Sequence, residues 1–238
     1  MALDLQATYV LASGASRAME QLDTVTNNLA NVNTTGFKEM VVKEMSQRLD
    51  ENGGDSNHLF VFPRFKESIL NFAQGPLKHT QNRLDFALEG KGFFIVQKGD
   101  QKFLTRNGHF LINNEGLLVD QNGHYLLDTA DKPVRLEGKS EINVTEDGSI
   151  YQNGAFVTKL QIKNYDNVTI IGDTYYEPQG NELTVDAKVR QGYLESSNIN
   201  PLMEMTEMIM AQRRFDMYGN MIKSMDQLNQ KTNEIGRA

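Results

Sequence analysis

Four histidines, His58, His79, His109 and His124, are the residues best suited to metal or acid–base chemistry, and their spacing provides for neither. No two stand at ligand spacing, and no His-Glu-x-x-His helix exists to hold zinc. Isolated histidines of this kind read as surface or strand residues. The chain has no cysteine, which removes disulfides, thiolate catalysis and cysteine-based metal sites together. Gly90-Lys91-Gly92 is too short for a phosphate-binding loop, which needs a longer glycine loop running into a helix through Lys and Ser or Thr. It reads instead as a tight turn before a strand. Glu146-Asp147, and Asp128 with Asp131, sit in turn sequences where carboxylates are solvated, and sequence does not show the separation a glycosidase pair requires. Asn33-Thr34-Thr35, Asn143-Val144-Thr145 and Asn167-Val168-Thr169 match the glycosylation sequon, but triplets this short recur by chance. The expectation is a chain that is not an enzyme and holds no cofactor and no metal.

What the sequence does carry is two apolar stripes, one at each end. Thr8, Leu11, Ala15, Ala18, Leu22, Val25 and Leu29 fall at alternating spacings of three and four, with Leu5, Ala12 and Met19 widening the stripe. Met208, Ala211, Phe215, Tyr218, Ile222 and Met225 repeat the pattern near the C-terminus, flanked by Met221, Leu228 and Ile235. Both stripes are wide enough to be buried. Their spacing leaves open an intramolecular helix pair and an intermolecular coiled coil. Most of the methionines lie between Met203 and Met225. A flexible thioether packs against irregular or several different surfaces better than leucine does, which favours a helix with more than one kind of neighbour.

The first helix has a legible end. Leu29 is the last residue in register; asparagines and threonines then compete for main-chain hydrogen bonds, and Gly36 supplies a position where φ can be positive. Phe37 is expected to pack back against the helix end. From Lys38 to about Gln81 the sequence reads as an extended connector or a hairpin arm. Its first part, to Asp50, is compatible with helix or strand, Glu51-Asn52-Gly53-Gly54-Asp55 forms a flexible tip, and Leu59 to Phe62 is a strand stopped by Pro63.

Beyond Leu84 the period changes to two. Short strands are expected at Gly92 to Val96, Lys102 to Thr105, His109 to Ile112, Leu117 to Val119 and His124 to Leu127. Gly99-Asp100, Asn113-Asn114, Asn122-Gly123 and Asp147-Gly148 are the turn formers between strands. Later strands follow at Ile142 to Val144, Ser149 to Tyr151, Phe156 to Lys163 and Val168 to Ile171. The class is α+β: long terminal helices forming a coiled-coil-like stem, and an irregular antiparallel all-β barrel or sandwich between them. The corresponding segments are 1–37, the N-terminal helix; 38–81, the connector or arm; 82–189, the β domain; and 190–238, the C-terminal helix.

At 238 residues and 39% hydrophobic content the chain can bury a core in one or two domains. A net charge of −7, with no Lys/Arg run, argues against nucleic acid and anionic membranes as partners. No apolar run is long enough to span a bilayer, and no charged-then-apolar leader with a small-residue cleavage site is present, so the composition alone suggests the cytoplasm.

Asn27-Asn28-Leu29-Ala30-Asn31-Val32-Asn33-Thr34-Thr35-Gly36-Phe37-Lys38 resembles the N-terminal signature of the flagellar rod and hook family, the axial proteins of the bacterial flagellum. Leu84-Asp85-Phe86-Ala87-Leu88-Glu89-Gly90-Lys91-Gly92-Phe93-Phe94, followed by Thr105-Arg106-Asn107-Gly108, is similar to the entrance of that family's central domain. Gln191-Gly192-Tyr193-Leu194-Glu195-Ser196-Ser197-Asn198-Ile199-Asn200-Pro201 is similar to its passage into the C-terminal helix. Residues from about Lys132 to Tyr176 carry no signature. The short stretch from Met45 to Gly75 and Arg213-Arg214-Phe215-Asp216-Met217 look most like the proximal-rod version, with the distal rod or a hook-type subunit as the nearest alternative.

The resemblance implies a structural subunit that polymerises into the periplasmic drive shaft carrying torque from motor to hook. It would be exported through the flagellum's own apparatus without a cleaved leader, which overrides the cytoplasmic default. Its partners would be copies of itself, neighbouring rod proteins and the export apparatus, with no nucleic acid and no direct membrane insertion. The helices would form the inner layer and the β module the outer one. Leu11, Ala15, Ala18, Leu22, Val25, Leu29, Met208, Phe215, Tyr218, Ile222 and Met225 are the expected assembly contacts. Asn28, Asn31, Gly36 and Phe37, with Glu195, Asn198, Asn200 and Pro201, are the expected positions where the chain changes direction. A flagellum-associated peptidoglycan-cleaving enzyme and a monomeric β-domain adaptor are the alternatives of other classes.

Overall fold

The computed structural model describes residues 2–48, 61–137, 141–172 and 174–235. Chain contacts divide it into two compact units: Met1–Ala30, Glu39–Asn71 and Ile199–Ala238 in one, and Asn31–Lys38 with Phe72–Asn198 in the other.

In the first unit, helix α1 (Ala2–Ala30) and helix α2 (Pro201–Ile235) lie antiparallel. Gln21 faces Glu207, and Asn28 faces Glu204. Among the described residues, Ala18, Val25 and Ala211 are the buried apolar residues of this pair, all on the stripes expected from periodicity. Of the two pairings that the spacing left open, the single chain thus forms the intramolecular one. Helix α2 begins where local chemistry says it should: Asn200 Oδ1 accepts from the amide of Leu202 at 3.1 Å, the Asn200 carbonyl accepts from Glu204, and Pro201 takes the first helical position, where a missing N–H costs nothing.

The same unit contains an antiparallel ribbon, Met40–Arg48 against Val61–Leu70, running in register from Met40 opposite Leu70 to Arg48 opposite Val61 with a shift between Lys43 and Glu44. The expected stop at Pro63 is overturned. The strand continues through it, with Pro63 opposite Ser46. A two-stranded ribbon gives each strand a free edge, and an edge tolerates a residue that cannot donate. The expected flexible tip at 51–55, Leu59 and Phe60 lie outside the described residues.

The second unit is β-rich, and every pairing among its described strands is antiparallel. Its largest sheet runs Val168–Gly172, Tyr175–Pro178, Gln101–Thr105, Phe93–Lys98, Tyr125–Leu126, Leu118–Val119, Leu111–Ile112, with Ile162–Tyr165 branching from Phe93–Lys98 towards Glu182–Leu183. Smaller sheets pair Ile142–Val144, Ser149–Gln152 and Ala155–Lys159; Asp186–Gln191 with Phe86–Lys91; and Tyr193–Glu195 with Leu77–His79. The arrangement is α+β, with a set of open sheets in place of the closed barrel that was one of the two expectations. Phe86, Leu88, Phe94, Val96, Phe110, Leu118, Leu126, Val134, Leu136, Ile150 and Leu160 fill the core.

One loop is used four times to turn this chain. At Asn113, Asp120, Asp128 and Thr145 the residue's carbonyl accepts from the amide three residues on, and its own amide donates to the carbonyl four residues on. The side chains of Asn113, Asp120 and Asp128 also accept from the amides two and four residues on. Each loop needs positive φ at its fourth position, filled by Gly116, Gly123, Asp131 and Gly148. These side-chain acceptors supply the bonds that a hairpin turn otherwise leaves to water.

Two expectations are corrected by the strands. Gly90-Lys91-Gly92 is no tight turn: Gly90 and Lys91 continue a strand, opposite Ala187 and Asp186. The single strand expected from Phe156 to Lys163 is two, because Leu160 donates to the Gly148 carbonyl and Gln161 to that of Leu127, where the chain crosses between sheets. By chain contacts the β-rich unit takes in 31–38 and 72–198, with a strand running through Val189 to Gln191.

Candidate functional site

Where α1 meets α2, the pair is tight because of small residues. A Cβ placed on Gly14 would lie 2.6 Å from Tyr218 Cε1, so the tyrosine ring lies directly across the glycine. Leu11, Ala15, Leu22 and Leu29 on α1, and Met208, Tyr218, Ile222 and Met225 on α2, are half-buried along the seam. Phe215, on the same stripe, is 41% exposed. The outer faces stay apolar. Tyr9, Val10 and Met19 on α1, and Leu202, Met203, Met205, Ile209, Met210, Met217, Met221 and Leu228 on α2, are all exposed.

The end of α1 carries a polar clasp. Asn28 is 1% exposed; its Nδ2 donates to the Met40 carbonyl at 2.9 Å and to Glu204 Oε2 at 3.3 Å, while its Oδ1 accepts from the Met40 amide at 2.9 Å. Burial raises the Glu204 carboxyl above the usual range, against the hydrogen bond from Asn28, and the charges of Glu39 and Glu207 raise it further.

The β-rich unit holds a second polar centre. Gly36 takes φ +72°, and a Cβ there would meet Arg106 C and Asn107 N at 2.4 Å, so the turn lies directly on the main chain of that loop. Its amide donates to the Glu195 carbonyl at 2.7 Å. Phe37 is buried in the same unit. The next residue, Lys38, reaches Glu195 Oε1 at 2.6 Å and the Ala73 carbonyl at 2.8 Å. Arg106 Nη1 meets Glu195 Oε2 at 3.1 Å, and its Nη2 donates to the Gly90 carbonyl at 2.7 Å. The Gly75 amide donates to Glu195 Oε1 at 3.0 Å. Burial lowers the pKa of both Lys38 and Arg106, and Glu195 opposes it in each case. The Arg106 guanidinium also lies 5.4 Å from the Phe93 ring centroid, and that ring packs on Tyr176 and Phe72. Two cations on one carboxylate, none more than 4% exposed, form a structural lock.

The remaining direction-changing residues have local duties: Asn31 accepts from the Thr34 hydroxyl, Asn198 donates to the Ala73 carbonyl, and Asn200 caps α2 ahead of Pro201. Sequence reasoning missed Lys38, Arg106, Gly14 and Glu204 as members of these sites. Lys38 and Arg106 stood inside recognised motifs, yet nothing local pairs them with a glutamate 157 and 89 residues away.

The histidines are less isolated than expected. His109 Nδ1 meets Asp85 at 2.7 Å, and His124, buried, meets Asp120 at 2.8 Å. Asp120 also accepts from the Tyr175 hydroxyl and two turn amides, which makes it a turn anchor. Among the described residues no group of three or more His, Asp or Glu is placed to hold a metal ion, and no helix is long and apolar enough to cross a membrane.

Three family profiles match successive parts of the chain. Residues 9–38 match "Flagella basal body rod protein", 87–152 match "Flagellar hook protein FlgE/F/G D1 domain" and 190–235 match "Flagellar basal body rod FlgEFG protein C-terminal". The chain is 33% identical to the flagellar basal-body rod protein FlgF of Caulobacter vibrioides, over 96% of each chain. It is 34% identical to FlgF of Rhizobium meliloti, over 87% of this chain and 88% of that one. It is 27% identical to the rod protein FlgG of Bacillus subtilis, over 98% of this chain and all of the relative. Identity sustained across helices, turns and β-rich unit shows that this chain belongs to the flagellar basal-body rod FlgF/FlgG family, and is a structural rod subunit and not an enzyme.

Proposed function

We propose that this subunit polymerises, with copies of itself and neighbouring rod proteins, into the periplasmic shaft that carries torque from motor to hook, and that it is of the FlgF, proximal-rod kind. The observation that supports polymerisation is the apolar surface that remains on the helices after they have paired. Nine large apolar residues of α2 stay exposed, Phe215 among them. A soluble monomer rarely leaves so much apolar side chain uncovered on one helix. A repeated contact between the outer face of one helix pair and its neighbour extends the antiparallel pair into a coiled-coil-like stem, and a heterologous contact of that kind builds an open helical array. Helices of 29 and 35 residues give such a stem its length, at about 1.5 Å per residue.

The FlgF assignment rests on the higher identity to FlgF proteins of Caulobacter vibrioides and Rhizobium meliloti than to FlgG of Bacillus subtilis. Delivery by the flagellar export apparatus follows from the family reading. The test is labelling of this chain in isolated basal bodies. Label confined to the rod segment nearest the motor is the expected result; label at the hook end would assign it to the distal or hook-type alternative, and label off the axis would refute the shaft.

A further inference from the structure

Among the described residues, the Met40–Arg48 strand pairs with a strand on one edge alone. Across the ribbon, Glu39 accepts from Asn71, and alternation along an antiparallel ladder then turns the amide and carbonyl of Met40 away from the Val61–Leu70 strand. Both of those groups are taken by a single side chain, the Asn28 amide, which pairs with Met40 as a neighbouring strand would. The same Nδ2 reaches Glu204, in the first turn of α2, which is 7% exposed and has no Lys or Arg in ion-pair range among the described residues. A primary amide is the one side chain able to give and accept on adjacent atoms and still have a second N–H for a carboxylate.

We propose that Asn28 is the positioning residue of the terminal unit: one amide fixes the arm's first strand and the start of α2 to the end of α1, so that the arm and both helices are set in a single step. The proposal rests on the reading of these helices as the assembly seam, since their register decides which apolar residues are offered to a neighbour. The groups around the contact make it pH-dependent. Facing Glu204 are Asn28 from α1, Glu39 from the ribbon and Glu207 on α2 itself; Glu207 in turn meets Gln21 and Arg214, and Glu39 meets Asn71. The native carboxyl binds its proton more tightly than the unfolded one. The stability that Glu204 contributes is therefore greatest in acid and falls as pH rises from the ordinary carboxylate range through the raised value.

The test is residue-resolved amide exchange on the full-length chain, with swimming scored separately. In the wild type, Met40 should be protected together with the α1 amides near Val25. Asn28→Ala should speed exchange at Met40 by roughly tenfold or more, as loss of a buried hydrogen bond requires, while the β-rich unit is unchanged. Asn28→Asp should keep Met40 protected in acid and lose that protection as pH rises. Adding Glu204→Gln, whose amide can donate to the new carboxylate, should restore it and flatten the pH profile. An unprotected Met40 in the wild type, or equal protection in wild type and Asn28→Ala, overturns the proposal. Exchange that changes as expected in cells that swim normally leaves the clasp standing and refutes the helices as the assembly seam.

Discussion

Glu195→Gln is the change whose consequence can be worked furthest. The carboxylate is fully buried and takes three hydrogen bonds, from Lys38 Nζ and the Gly75 amide on Oε1 and from Arg106 Nη1 on Oε2. Glutamine keeps the shape, but turns an N–H₂ towards one of two buried cations and removes the counter-charge of both. Breaking a buried ion pair from one side costs about 3–5 kcal/mol, because the charge left behind stays dehydrated. For a unit of this size that is a fall in melting temperature of roughly 10–20 °C. Thermal unfolding followed by circular dichroism should show the loss in the β-rich unit. Replacing the whole lock, as Lys38→Met, Arg106→Met and Glu195→Leu together, should recover part of it; recovery stays incomplete because the Ala73 and Gly90 carbonyls lose their donors. A Glu195→Gln protein that melts within about 3 °C of wild type would refute the argument, since the charges would then have to be hydrated or exchangeable in the folded state.

Gly36→Val should destabilise the β-rich unit by more than the roughly 1–3 kcal/mol of a β-branched residue at positive φ, because its Cβ also meets the main chain at Arg106 and Asn107; denaturant midpoints read this. Phe215→Asp should leave monomer melting nearly unchanged, since Phe215 is already 41% exposed, and should abolish swimming, because a carboxylate buried between subunits costs several kcal/mol. A variant that swims removes Phe215 from the contact between subunits. Gly14→Leu should weaken the helix pair by about 1–3 kcal/mol through overpacking against Tyr218, seen as faster amide exchange in α1 with the β-rich unit unaffected.

Features with a local cause could be read from the sequence. The stripes were legible because helical burial repeats every three or four residues, and the end of α1 because Leu29 is followed by residues that favour turns. Short strands from Phe93 to Leu126 were legible for the same reason: the alternation and the Asn/Asp/Gly turns sit within a few residues of each other. Non-local partners defeated the reading elsewhere. Nothing around Pro63 shows that its strand is at an edge, and nothing between Phe156 and Lys163 shows that Leu160 and Gln161 donate to Gly148 and Leu127. Phe215 fits the stripe by count and stays 41% exposed, because counting fixes a face to within about one residue and does not say how far a partner covers each position on it.

The two polar centres share a physical logic. The chain passes between its two units at 30/31, 38/39, 71/72 and 198/199, and each unit gathers its side of those crossings with one buried polar group. In the helical unit, Asn28 binds Met40 and Glu204. In the β-rich unit, Glu195 binds Lys38, Gly75 and Arg106, and Ala73 accepts from both Lys38 and Asn198. Apolar residues at these places would add more stability per atom buried, but apolar contact is not directional and tolerates small shifts that a hydrogen bond does not. A bidentate amide or a carboxylate with three donors is satisfied in one register only, and the alternative registers leave a buried charge or donor unpaired. On the proposed assembly, in which the helices offer one face to each neighbour, that selectivity matters more than the last increment of stability, and it gives a reason for buried polar groups where the chain leaves one unit and enters the next.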